Sequence, residues 1–428
     1  MVNRKKLLFI VLDGIGDRLV KELENRTTLE AAYTPVLDRL ALEGATGIVQ
    51  VLPFAPESDE AIFTLLGYDL KQYTGRGPLE ALGSDVEFKP GMLALRCNFA
   101  TAERHKLIDR RVGRSLTSKE AALLANSINK NVKLKNASFI FKSTVAHRAV
   151  LVLKHKRKLS AKITNTDPAY KIGRDGLPEA LYEFKMEVMK SRALEKSAKL
   201  SADLLNEFTE KSVKVLENDP VNLNRQHRGL LKANIILSRD AGNKLPKIKP
   251  INQVTKRNWA ILAEMPLEIG IGKLMGMKVI PYSDAGNFME YSDNINPKSH
   301  YRNLTKKVIE TLNKFDSIYV HIKGPDVFGH DGNYEGKMKN IEQIDEFFFA
   351  TLLSDLKDDT MIVVTGDHST PCEIKGHSDD PVPMLIWNGG IKDNVKRFNE
   401  IECSKGALGM LKGKEVMQKI CSMINQKI

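Results

Sequence analysis

Met361-Ile362-Val363-Val364 runs through Thr365-Gly366 into Asp367-His368, a β-branched apolar stretch that ends in two groups able to bind a metal. Two other stretches end in a similar way. Leu8-Phe9-Ile10-Val11-Leu12 runs into Asp13, and Ser317-Ile318-Tyr319-Val320-His321-Ile322 is followed within a few residues by Asp326. Longer amphipathic stretches separate such runs, which is the alternation of a parallel sheet covered by helices. As parallel strands, all three would release their acids at one carboxyl edge, where open α/β sheets hold their ligands. Residues 1–83 and 255–428 share this texture.

Residues 84–254 read differently. Isolated strand candidates, Met92 to Arg96 and Ala149 to Leu153, precede a long helical pattern from Glu179 to Leu216 and a Pro/Lys-rich stretch, Lys244 to Pro250. The net charge of +12 is also concentrated here: residues 1–130 carry +1, 131–260 carry +15 and 261–428 carry −4. We therefore expect a discontinuous α/β domain (1–83 and 255–428) interrupted by a smaller, basic α+β domain (84–254), and 428 residues suit two domains.

Composition excludes several classes. With 42% apolar and 28% charged residues the chain is neither disordered nor fibrous. The run Lys154, Lys156, Arg157, Lys158 reads as a solvated stretch or as a site for an anion. Aromatic residues rarely interleave with the basic ones and no RNA-recognition or finger motif is present, so nucleic acid is not the expected partner. The apolar run Leu7 to Leu12 is too short to span a membrane, and no cleavage pattern follows it. Cys97, Cys372, Cys403 and Cys421 are scattered without a Cys-x-x-Cys pair, as suits a reducing cytoplasm.

The chemistry gathers in one window. Asp326 and His330 lie in Gly-Pro-Asp-Val-Phe-Gly-His-Asp-Gly, Asp367 and His368 in Thr-Gly-Asp-His-Ser-Thr-Pro, and His377 in Lys-Gly-His-Ser-Asp-Asp-Pro. Carboxylates mixed with imidazoles suit manganese, zinc or cobalt, and the surrounding Gly and Pro put them on tight loops. Asp326, His330 and His377 would hold one ion, and Asp13, Asp367 and His368 a second. Ser58, before the apolar stretch Ala61 to Leu66, would supply the second ion's remaining oxygen. It also reads as a helix N-cap, and a helix N-terminus favours a phosphoryl anion. Metal coordination would make its hydroxyl a nucleophile at neutral pH.

These residues resemble those of the archaeal-type cofactor-independent phosphoglycerate mutases of the alkaline phosphatase superfamily. The resemblance is carried by Val11 to Asp17, Ser58-Asp59, Leu66 to Asp69, Tyr73-Thr74-Gly75-Arg76-Gly77-Pro78, Arg96 to Thr101 and Asp109-Arg110-Arg111 with Gly113-Arg114. Toward the end of the chain it continues through Gly329 to Asn333, Gly366 to Pro371, His377-Ser378 and Asp380 to Pro383. It implies an alkaline-phosphatase-like fold and a cytoplasmic enzyme with two divalent ions, manganese first among them, and no 2,3-bisphosphoglycerate. Its substrate would be a small phosphorylated acid. Ser58 would take the phosphate from 3-phosphoglycerate and return it to the 2-hydroxyl of the retained glycerate. Arg110, Arg111, Arg114 and Arg239 would clamp carboxylate and phosphate, and the basic domain would act as a lid.

Two stretches depart from the family pattern. Glu57 and Glu60 flank Ser58 where the family has small residues, and would repel a phosphate that they faced. The family's Lys-Gly pair has no lysine at the matching stretch, Leu267 to Ile271. Alternatives to the mutase are another two-metal phosphotransferase or phosphatase of the superfamily, for example one like the proposed homoserine kinases, and a catalytically silent anion-binding protein.

Overall fold

The computed structural model describes residues 5–104, 106–173, 178–181, 184–282, 296–356 and 359–424. Its strands, in chain order, are β1 (Lys6–Leu12), β2 (Ala45–Gln50), β3 (Leu93–Glu103), β4 (Lys106–Asp109), β5 (Ala137–Ser143), β6 (Arg148–His155), β7 (Tyr170–Ile172), β8 (Pro178–Ala180), β9 (Ile235–Gly242), β10 (Trp259–Leu262), β11 (Lys278–Val279), β12 (Ser317–Ile322), β13 (Thr360–Gly366), β14 (Val382–Trp387) and β15 (Gly409–Lys412). The chain divides into two compact units. The first comprises 1–72, 248–264 and 271–428, and the second 73–247 with 265–270.

The first unit is built on an eight-stranded sheet of order β11-β10-β12-β1-β13-β14-β2-β15. Only β14 runs against the others, pairing antiparallel with both β13 and β2. From Leu7 on, β1 is buried along its whole length, as is all of β12 and β13. A strand buried on both faces must be apolar throughout, which is why these three runs do not alternate. Helices Pro35–Glu43, Pro297–Leu312 and Tyr334–Ile344 share one core with them through residues such as Leu37, Leu40, Tyr301, Leu304, Val308, Ile341 and Ile344. Register then decides the site. Leu12 stands opposite Ile322 on one side and Gly366 on the other. The next residues, Asp13, Lys323 and Asp367, therefore leave the sheet side by side.

The second unit is an antiparallel sheet covered by helices. The central strand β3 pairs with β6 and β9, and at its end with β4. Helices Ser118–Asn131 and Lys199–Glu217 pack into one core with it through Leu124, Ile128, Leu205 and Phe208. Helix Arg76–Gly83 joins a smaller cluster with Ala94, Val150 and Val152 through Ala81.

Three expectations are corrected. The junctions fall at 72/73 and 247/248 instead of 83/84 and 254/255, because helix Arg76–Gly83 packs on β3, β6 and β9. The segment 265–270 also belongs to the second unit; Gly83 and Gly270 touch there, so closely that neither has room for a Cβ. The helix read from Glu179 to Leu216 begins only at Lys199. Before it, Ser191 to Leu194 are held extended by hydrogen bonds with Lys162 and Thr164, so tertiary pairing overrides the helical period. Residues 182–183 of that stretch lie outside the described residues. The basic run Lys154, Lys156, Arg157, Lys158 is exposed.

Candidate active site

Four segments of the first unit converge at the carboxyl edge of its sheet. The turn after β1 carries Asp13, and Gly14, at φ +63°, lets that turn pass so close to Asp326 that a Cβ would lie 2.7 Å from the Asp326 Cβ. Helix Pro325–Asp331 carries Asp326 and His330 one turn apart on the same face. The loop after β13 carries Asp367 and His368, and the stretch leading to β14 carries His377. Helix Ser58–Leu65 brings Ser58. A fully buried ammonium, Lys337 Nζ, ties two of these segments together by donating to Gly16 O (2.8 Å) and Thr370 O (2.9 Å), beside Asp17 Oδ2 at 3.2 Å.

All seven of the expected ligands gather here. His330 Nε2 lies 3.2 Å from His377 Nε2, and the two are 3.5 and 3.4 Å from Asp326 Oδ1. His368 Nε2 lies 3.5 Å from Asp13 Oδ1, 3.4 Å from Asp367 Oδ2 and 3.4 Å from Ser58 Oγ. His368 also stacks on His377, ring centroids 3.8 Å apart, so it stands between the two groups.

The donor chemistry fits cations. The Nδ1 of His330 faces Lys375 O at 3.1 Å and that of His377 faces Pro56 O at 2.7 Å. A carbonyl can only accept, so each Nδ1 carries a proton and each Nε2 is the nitrogen turned inward. Burial would lower His377, but its hydrogen bond to Asp326 and that carboxylate's charge raise it to about 10, so this point of the cluster draws positive charge, which a divalent ion would supply in place of the proton. Asp13 Oδ1 and Asp367 Oδ2 are buried without a hydrogen-bond partner, and each is aimed at the same cluster. Burial and the neighbouring Asp13 raise the Asp367 carboxyl well above its ordinary range. Burial pushes His368 down to about 3, with His377 adding to the effect. Burial would also raise Asp13, but Lys323 and the histidines His321 and His368 hold it down.

Ser58 is not the cap of its helix. Glu57 is the N-cap, its side chain accepting from the Glu60 N–H, while the Glu60 carboxylate accepts from the Glu57 N–H at 3.1 Å. Both acids flanking Ser58 are thus spent on a capping box, and Ser58 occupies the first helical position with its hydroxyl turned to His368.

The expected arginines lie in the second unit. Asp109 Oδ1 accepts from the N–H groups of Arg111 and Gly113 and so shapes the loop that presents them, with Val112 buried at φ +55°. A β-branched residue is strained in that conformation, and the loop retains it. Arg110 makes a bidentate pair with Asp167 (2.8 and 2.7 Å), which also takes Arg239 at 3.0 Å. Arg239 lies over the Tyr170 ring at 4.0 Å. Arg114 is exposed. Sequence reasoning missed Arg76, Arg96 and Arg148, although the first two lie in stretches quoted for the resemblance. Glu80 lies 3.6 Å from Arg76 and 3.4 Å from Arg96. Burial, with Arg96 and Arg111 nearby, pushes the Arg148 guanidinium down to about 9. Burial and the same cations hold His147 well below its usual value. Cations crowded to this degree favour the approach of an anion.

Residues 41–222 match the family model described as 2,3-bisphosphoglycerate-independent phosphoglycerate mutase. A protein of that name from Aeropyrum pernix is 42% identical over 98% of this chain and 99% of its own length. One from Methanosphaera stadtmanae is 40% identical over 98% of each. The chain belongs to this family. Among solved structures, a Pyrococcus horikoshii protein superposes with a TM-score of 0.79 at 30% identity, covering both chains entirely. The cofactor-independent phosphoglycerate mutase of Thermoplasma acidophilum gives 0.61 at 32%, covering 98% of this chain and all of the other.

For a chain of the mutase family, the place of a lysine near the metal-binding cluster matters. Leu267 to Ile271 runs along helix Pro266–Leu274 and carries no lysine. Lys323, directly after β12, puts its ammonium 2.6 Å from Asp13 Oδ2. Sequence reasoning did not single out Lys323. His321, on β12, was read only as part of an apolar strand, yet Asp13, His321 and Asp367 offer ligand atoms all within 4.8 Å of one another. No periodic signal marks it, since the strand is apolar on both faces; it stands out only as a polar side chain that needs a partner there.

Proposed function

We propose that this protein interconverts 3-phosphoglycerate and 2-phosphoglycerate without 2,3-bisphosphoglycerate, passing the phosphoryl group through Ser58. The observation that carries the reading is the Ser58 hydroxyl on the first turn of its helix, 3.4 Å from His368 Nε2 at the edge of the carboxylate–imidazole cluster. The names of the relatives supply the substrate. Asp326, His330 and His377 would hold one divalent ion, and Asp13, Ser58, Asp367 and His368 the other, with manganese the first candidate and zinc or cobalt also suited. Such ions, when bound, neutralise phosphoryl oxygens and acidify a serine hydroxyl.

The chain's own groups do the rest. Ser58 Oγ forms a bond to phosphorus as the bond from phosphorus to the glycerate 3-oxygen breaks, and the hydroxyl proton passes to the released glycerate. The second step runs the same exchange in reverse at the 2-oxygen. The first-turn N–H groups and Lys323 favour the anion at Ser58. Arg111, Arg148 and Arg239, with Arg76, Arg96, Arg110 and Arg114, supply cations for the glycerate carboxylate, which must stay bound between the two steps.

The test is conversion of 3-phosphoglycerate to 2-phosphoglycerate in a coupled assay. Protein stripped of metal is resupplied with manganese, with 2,3-bisphosphoglycerate absent and Ser58→Ala run alongside. Metal-dependent isomerisation lost in Ser58→Ala is expected. Isomerisation that persists in the variant would refute the nucleophile. Phosphate release without isomerisation would refute the mutase and leave a phosphatase.

A further inference from the structure

His321 is the one histidine at the site that neither the sequence reading nor the reaction above employs. It is fully buried on β12, between Tyr319 and Lys323. Its Nδ1 lies 3.0 Å from the Tyr319 hydroxyl. Its Nε2 has no hydrogen-bond partner and lies 3.7 Å from Asp367 Oδ2 and 4.0 Å from Asp13 Oδ2. A buried imidazole nitrogen left without a partner is costly, so this position calls for one.

The three accepted histidines show what that partner would be. His330 and His377 face a carbonyl through Nδ1, and His368 faces Thr370 Oγ1 at 3.1 Å. The Thr370 hydroxyl donates to Asp326 Oδ1 at 2.7 Å, which leaves its oxygen to accept from His368. Each ring therefore has an outer partner on Nδ1 and turns Nε2 inward. His321 repeats the pattern with Tyr319 as its outer partner. Separations of 3.7 and 4.0 Å are too long for hydrogen bonds to the carboxylates. They suit atoms bound to a common ion, each at about 2.0–2.2 Å from it.

We infer that His321 Nε2 is a further ligand of the ion held by Asp13 and Asp367, its Nδ1–H then donating to the Tyr319 hydroxyl. This rests on the two-ion reading above, and the same experiment separates the two. Cobalt(II) is bound to the metal-stripped full-length protein, and proton NMR counts the exchangeable imidazole N–H signals shifted by direct ligation. Four are expected: His321, His330, His368 and His377. His321→Asn should remove one of them and weaken one of the two ions by at least ~10-fold in a chelator competition, the scale seen when even an outer partner of a ligand is lost. Tyr319→Phe, a milder change, should leave the count at four in a non-exchanging sample but speed solvent exchange of one signal. Three signals in the unaltered protein, none responding to Tyr319→Phe, would overturn the role of His321 while leaving the two-ion site standing. No ligated histidine signal would overturn both.

Discussion

Lys323 shows how one residue changes the reading of a site. Its ammonium, 2.6 Å from Asp13 Oδ2, partly neutralises a carboxylate that would otherwise be free for an ion, and it stands ready for phosphoryl charge. We expect Lys323→Met to lower kcat about 10²-fold, the scale of removing one positioned donor, while metal content, assayed on the purified protein, is undiminished. Loss of both together would make the lysine structural. The expected ligands were legible because each follows an apolar run and sits among Gly and Pro. Lys323 and His321 were not, because one looks like any loop cation and the other is hidden inside a strand. Arg148 was equally hidden: at the first position of β6 it has no motif, and only its crowding with Arg96 and Arg111 marks it.

At the scale of elements, helix Ser58–Leu65 turns an apparent obstacle into a support. Glu57 and Glu60 hold one another's backbone N–H groups, so both carboxylates are fixed at the start of the helix. Breaking the cap with Glu57→Ala should cost ~1 kcal/mol, a fall of about 2–4 °C in Tm for a unit of this size. Glu57→Gln with Glu60→Gln should leave kcat/KM within about threefold, since 1.4 kcal/mol would be needed for a tenfold change. A clear rise in kcat/KM would mean that the two acids repel substrate after all. The strands were readable because a two-sided burial requires an unbroken apolar run. The helix start at Lys199 was not, because the extended pairing of Ser191 to Leu194 with Lys162 and Thr164 is long-range and leaves no periodic mark.

Across the whole molecule, the two units carry different chemistry: carboxylates and imidazoles in the first, crowded guanidinium groups in the second. The texture of the chain revealed this division but not its junctions, since helix Arg76–Gly83 carries no sign of which sheet it will cover. If the ions belong to the first unit alone, they stabilise it by mass action and leave the second untouched. Calorimetry with and without a chelator should then resolve two endotherms and shift only one. A common shift of both would mean that the units unfold together.

The order of strands in the first sheet has a consequence for how the protein is made. β1, with its run Leu7 to Val11 fully buried, lies between β12 and β13, whose residues are translated some three hundred positions later. At roughly 5–20 residues per second, that central strand waits on the order of half a minute without neighbours, while the second unit's strands are completed in the interval. The nascent chain thus carries an unpaired apolar strand through that interval, and it acquires its metal-binding edge almost last, after Asp367 and His377 have left the ribosome.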